Sequence, residues 1–303
     1  MMARMPELSR RAILRLSVGA AAGGAGAYAL GAALHSPSTS VAGSQVSMTS
    51  AGAPLAPPPP LEPPTAVAPT YVDGSFVSAA RGGVPTNWAI ARPPGQMTAL
   101  RPLIALHGKD SDAATVMAGG VEQGLAQLVS AGLPPFAVVA VDGGDSYWHK
   151  RASGEDSGAM VLNELIPMLG SQGLDTSRVA FLGWSMGGYA AMLLGSRLGP
   201  ARTAAICAVS PALWTSAGAA AAGAFDGADD YAANTVWGLS ALGSIPLRID
   251  CGTSDPFYSA TQQFVAQLPN PPAGGFSPGG HDGAYWTSQL PGELAWIAPL
   301  LTA

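Results

Sequence analysis

The sequence predicts an α/β fold, a mostly parallel central sheet with helices on both faces. Short apolar runs bounded by turn residues recur through the later part of the chain, as strands buried on both faces do. Helical stretches separate them, which is how parallel strands are connected. The 48% of apolar residues supplies a large core.

The elements follow in order. Phe76 to Val77 and Asn87 to Ala91 read as antiparallel strands at one edge. Leu103 to Leu106, Phe136 to Val141, Val179 to Leu182, Thr203 to Val209 and Leu247 to Asp250 read as the buried strands. Helices are expected over Asp156 to Leu169, Met186 to Leu198, Tyr258 to Leu268 and Tyr285 to Leu301. In open sheets of this type the site lies beyond the carboxyl ends of the strands.

The beginning of the chain reads differently. Arg4, Arg10, Arg11 and Arg15 face one acid, Glu7, and Leu16 to Leu34 is an uncharged stretch of Ala, Gly and Leu. Ser9-Arg10-Arg11-Ala12-Ile13-Leu14 resembles a twin-arginine export signal; a general export signal or an uncleaved anchor is the other reading. No cysteine in this region offers a lipid attachment point. Beyond it, Pro57-Pro58-Pro59-Pro60 and Pro63-Pro64 mark a semi-rigid spacer, because proline fixes φ and favours extended chain. The expected organisation is an export signal or membrane anchor over 1–42, a proline-rich linker over 43–70 and a catalytic domain over 71–303. The protein is expected outside the cytoplasm, secreted or held at the cell envelope.

Composition narrows the chemistry. A net charge of −5 with 14 Lys and Arg against 19 Asp and Glu leaves no basic stripe to attract nucleic acid. Cys207 and Cys251 lie far apart and His35, His107, His149 and His281 are scattered, so no metal-ligand spacing is present and no cofactor is expected. The two cysteines fall near the ends of neighbouring strands. Export would permit a disulfide there, with buried free thiols as the default reading.

One serine stands out. Gly183-Trp184-Ser185-Met186-Gly187 has the spacing of a nucleophile elbow, although a chain with 39 glycines makes the bare pattern a weak signal. Context strengthens it: Ser185 sits where an apolar strand turns into a helix, with Gly183, Gly187 and Gly188 where side chains would clash. A serine hydroxyl needs a base, and in this arrangement the chain order is serine, acid, histidine. Only His281 follows Ser185, in a glycine-flanked loop. The acid is expected just past a strand end, which selects Asp255 over Asp250, Asp226, Asp229 and Asp230; Asp282 adjoins the base too closely to orient it. Two backbone N–H groups should hold the oxyanion. One is Met186; the other is Lys109, with Gly108 as the competing choice, while His107 reads as a structural loop residue.

These pieces resemble the esterase branch of the α/β hydrolases, which includes esterase D (S-formylglutathione hydrolase), feruloyl esterases and secreted mycolyltransferases. The matching segments are Leu106-His107-Gly108, Asp142-Gly143-Gly144, Asn163-Glu164-Leu165-Ile166-Pro167, Gly183 to Gly188, Cys251 to Pro256 and Gly280-His281-Asp282. The resemblance implies an α/β-hydrolase fold and ester hydrolysis or acyl transfer through an acyl-serine. The expected substrate is a small-molecule or lipid ester of short to medium acyl length. Acyl transfer to a sugar hydroxyl, and a non-catalytic binding role in the envelope, are the competing functions. Trp214 to Ser244 carries no family motif and occupies the place of a lid; its Trp214, Phe225 and Trp237 could line a pocket or form core. Tyr147, Trp148 and His149 could equally face the cleft or pack in a loop.

Overall fold

The computed structural model describes residues 70–303. The expected signal over 1–42 and all of the linker except Thr70 lie outside the described residues. Among the described residues, no helix is long and apolar enough to cross a membrane.

Eight strands form one sheet in the order β1-β2-β4-β3-β5-β6-β7-β8. β1 (Tyr71–Ser78) and β2 (Val84–Ala91) form a hairpin antiparallel to the rest, joined through β2 to β4 (Ala137–Val141). From β4 the sheet is parallel: β3 (Pro102–Leu106), β5 (Val179–Trp184), β6 (Thr203–Val209), β7 (Leu247–Gly252) and β8 (Ala273–Ser277). Every residue of β3, β4, β5 and β6 is buried, which is why these strands read as unbroken apolar runs.

Side chains alternate across the sheet and create two cores. Ile104, Leu106, Val139 and Phe181 pack on one face beneath α5 (Met186–Leu198), α7 (Tyr258–Gln267) and the segment after β6. Leu103, Ala105, Val138 and Leu182 pack on the other, beneath α1 (Ala113–Ala118), α2 (Val121–Ser130) and α8 (Gly283–Thr302).

Three differences from expectation have physical causes. The helix expected over Asp156 to Leu169 is broken: α3 (Ser157–Met160) and α4 (Ile166–Leu169) flank a π-helical turn, Val161–Leu165. Pro167 falls just inside α4, where a missing N–H costs least. That turn aims Glu164 at the β1–β2 connection, accepting from Ser78 Oγ at 2.5 Å and Ala80 N–H at 2.8 Å. α1 and α2 were not anticipated, because Gly119-Gly120 interrupts their periodicity; Asp112 caps α1 by accepting from Thr115 N–H at 2.7 Å. Nor was β8, whose Ala-Gly-Gly-Phe-Ser residues carry little strand propensity and pair only because β7 offers an open edge. The excursion between β6 and β7 holds one short α-helix, α6 (Ala228–Asn234), and two 3₁₀ turns, Ala217–Ala219 and Ser240–Gly243.

Candidate active site

The nucleophile candidate is positioned by backbone geometry that glycine alone permits around it. Ser185 ends β5 and begins α5 with φ 55° and ψ −116°, a conformation costly for a residue with a Cβ. Its surroundings hold it there. Ser185 N–H donates to Val209 O at 3.0 Å, and its carbonyl accepts from Tyr189 N–H at 3.1 Å and Ala212 N–H at 3.0 Å. A Cβ at Gly183 would collide with the Gly187 carbonyl, and one at Gly187 with the Leu106 carbonyl. The tight turn exists because neither side chain does.

Three residues far apart in sequence meet at this point. His281 Nε2 lies 2.9 Å from Ser185 Oγ, and His281 Nδ1 lies 2.8 Å from Asp255 Oδ2. The Asp255 side chain is fully buried, whereas that of His281 is 23% exposed, open on the side a substrate would approach. Burial would raise the Asp255 carboxyl. The hydrogen bonds from His281 and from Phe257 N–H, at 2.8 Å to Oδ1, outweigh it and hold the group below its ordinary value, ionised. The acid and base loops are tied to each other: Thr253 N–H donates to Ser277 O and Ser254 N–H to Gly279 O, both at 2.9 Å.

The other acids are occupied elsewhere. Asp250 pairs with Arg248 at 2.6 Å within β7, Asp226 with Arg151 at 2.6 Å, and Asp230 with His149 at 3.2 Å. Asp282 caps α8, accepting from Tyr285 N–H at 2.9 Å.

Two peptide units lie next to Ser185. Met186 is the first residue of α5, so its N–H has no partner within the helix and stands at the positive end of the helix dipole. The Gly108–Lys109 peptide lies alongside: a Cβ on Gly108 would stand 3.5 Å from Ser185 Cβ. His107 fixes this peptide. Its Nε2 accepts from Gly143 N–H at 2.8 Å, so the proton is on Nδ1, which donates to Gly108 O at 2.6 Å. Burial depresses the His107 pKa, which keeps this neutral tautomer. In a trans peptide the C=O and N–H point in opposite directions. Holding Gly108 O against His107 therefore turns Lys109 N–H away from that ring, on the strand of chain that lines the cleft. The Lys109 side chain is exposed and pairs with Asp110 at 2.9 Å.

A cavity of about 540 Å³ opens beside Ser185 and His281, between α1 and the start of α8. Val116, Trp184 and Trp286 form much of its apolar wall. Trp214, Phe225 and Trp237 are not among its lining residues. They pack around a space of about 10 Å³ on the other face of the sheet. Tyr147, Trp148 and His149 are loop packing: all three are buried, and Trp148 packs tilted at 58° against His107 with ring centres 4.9 Å apart. Cys207 and Cys251 are buried free thiols. Among the described residues, Cys207, Asp250 and Glu293 form the one cluster of ligand-type side chains, and Arg248 already occupies the Asp250 carboxylate.

Residues 83–297 match the family described as "Putative esterase". The chain belongs to this esterase family. It is an ester hydrolase of the α/β-hydrolase fold. A comparison with curated protein sequences gave no significant match. Among solved structures, a ferulic acid esterase aligns with a TM-score of 0.66 at 19% identity, covering 76% of this chain and 97% of its own. The S-formylglutathione hydrolase of Agrobacterium tumefaciens aligns at 0.62 and 18%, covering 76% and 95%. MPT51 of Mycobacterium tuberculosis aligns at 0.62 and 18%, covering 77% and 100%. At these identities the likeness is one of fold.

Sequence reasoning missed Phe257, Trp286 and Trp184 as residues around the site. Trp184 was visible as the residue before the nucleophile; the other two carry no local signal of their own.

Proposed function

We propose that this esterase hydrolyses carboxylic esters through an acyl-serine intermediate on Ser185. The observation that carries the reading is the unbroken path from Ser185 Oγ through His281 to the buried Asp255 carboxylate. His281 Nε2 takes the hydroxyl proton as Ser185 attacks the ester carbonyl, and the tetrahedral oxyanion accepts from the N–H groups of Met186 and Lys109. His281 then returns the proton to the leaving alkoxide, and water repeats the sequence in reverse to release the acid. Asp255 holds Nδ1 protonated, so that Nε2 is free to accept.

The cavity supports a substrate with one apolar group of short to medium length, since 540 Å³ falls within the range of small-molecule pockets. Water is the acceptor in this reading. The arginine pair at Arg10-Arg11 and the stretch after it support export, to the cell envelope or beyond.

Fluorophosphonate labelling together with turnover of a p-nitrophenyl ester tests the mechanism. Ser185→Ala should abolish labelling and lower kcat on the order of 10⁴- to 10⁶-fold; labelling that persists at another residue would overturn it. Export is tested by Arg10→Lys/Arg11→Lys in cells with and without the twin-arginine translocase, where unchanged export in both rejects that route.

A further inference from the structure

Two aromatic side chains outside the triad clasp its histidine. The Phe257 ring centre lies 5.3 Å from that of His281 with planes at 58°, and the Trp286 ring centre lies 5.2 Å away with planes at 88°. Each ring is fixed by an element the triad already uses. Phe257 lies in the turn between β7 and α7, where its N–H donates to Asp255 Oδ1 at 2.8 Å; its carbonyl accepts from Thr261 N–H and Thr261 Oγ, each at 2.8 Å. One residue thus steadies the acid with its backbone and the base with its ring. Trp286 lies in the first turn of α8, donating its N–H to Asp282 O at 3.2 Å, and Asp282 caps the same helix. From the far side, Trp214 of the β6–β7 excursion packs edge-on against Phe257 at 5.5 Å and 82°.

The chemistry gives the clasp its purpose. During acyl transfer His281 passes from neutral imidazole to imidazolium while its two nitrogens must stay in line with Ser185 and Asp255, and rings packed at 5.2 and 5.3 Å leave it little room to turn. The other groups facing His281 are Asp255, which accepts from it, and Ser185, its proton donor. The Asp282 carboxylate is engaged at the start of α8, and Lys109, which lines the same cavity, is paired with Asp110.

We propose that Phe257 and Trp286 are positioning residues that hold the His281 ring on the line between Ser185 and Asp255 as the proton moves. The proposal rests on the catalytic reading of Ser185, His281 and Asp255. Leucine at either position keeps an apolar side chain and removes the ring. Phe257→Leu should lower kcat on the order of 10-fold with KM unchanged, the mark of a misplaced base rather than of lost binding. Trp286→Leu should do the same with a raised KM, because Trp286 also lines the cavity. Phe257→Tyr and Trp286→Phe should restore most of kcat. Thermal melts identify any variant that does not fold; the other position then carries the test. Leucine variants with wild-type kcat, or aromatic replacements as impaired as leucine, overturn the proposal. Ser185→Ala and His281→Ala measured alongside separate the two ideas. If either turns over substrate at the wild-type rate, the catalytic reading fails; if both are inactive while the leucine variants behave as wild type, only the clasp fails.

Discussion

The two flanks of Ser185 are built from similar apolar material and end in opposite states. On the α1 and α8 side, Trp184, Trp286 and Val116 stand apart, because Ser111, Ala118, Gly119 and Gly283 contribute almost no volume between them, and about 540 Å³ stays open. On the side of the β6–β7 excursion, Tyr147, Tyr189, Trp214, Phe225 and Phe257 meet edge to face or tilted with ring centres 5.5–6.5 Å apart, leaving about 10 Å³. That is room for about one water molecule and none for a substrate group. Aromatic residues near a nucleophile therefore do not by themselves make a pocket. Rings that can reach each other's edges close the space, and small residues between large ones keep it open.

A larger effect than either flank can give belongs to the acid between them. Asp255→Asn should lower kcat on the order of 10⁴-fold with the fold intact, by leaving His281 in the wrong tautomer. A larger loss from Asp250→Asn at equal stability would relocate the acid.

The open flank is tested next. Ala118→Trp should fill the cavity from its exposed rim and lower kcat/KM for a bulky ester by about 100-fold, with p-nitrophenyl acetate affected far less. Equal losses on both esters would mean that substrate does not enter between α1 and α8.

The packed flank should respond in stability instead. Leu213→Ala removes a buried side chain from the core under the excursion and should cost about 2–5 kcal/mol, read as a fall in Tm, with KM unchanged. A raised KM without loss of stability would make the excursion a substrate wall after all.

The smallest effect lies beneath the open flank. Glu293 of α8 is fully buried with neither carboxylate oxygen partnered, facing Asp250 and Arg248 of β7 and Cys207 of β6. Burial, reinforced by Asp250, pushes its pKa well above the ordinary 4.5. The folded chain keeps a proton that the unfolded chain releases above that value, so stability falls as pH rises through the window. Glu293→Gln should raise Tm at pH 8 and leave it nearly unchanged at pH 4; a gain that does not grow with pH would reject this protonation state.

Much of this was legible in the sequence, for identifiable reasons. The parallel strands from β3 to β7 announced themselves because burial on both faces demands apolar side chains throughout. The elbow was legible because glycine is forced at Gly183 and Gly187. Asp255 and His281 followed from chain order, and the structure places both at hydrogen-bonding distance. What stayed hidden depends on tertiary neighbours. β8 exists because β7 had an edge to offer. Pocket and core stay equally open for Trp214 and Phe225 in the sequence, because nothing local reveals that each finds another ring. His107 was expected to be structural, but its hold on the Gly108 carbonyl needs Gly143 from a different loop to fix its tautomer.

β8 is joined to the sheet through β7 alone, its residues are half-exposed or exposed, and the chain reaches His281 only four residues after it ends. Ser185, by contrast, hangs from β5 in the middle of the sheet. Fraying of an edge strand requires far less free energy than global unfolding. The base should therefore drift away while the nucleophile is still in place, and in mild denaturant activity should vanish at a lower concentration than helical ellipticity.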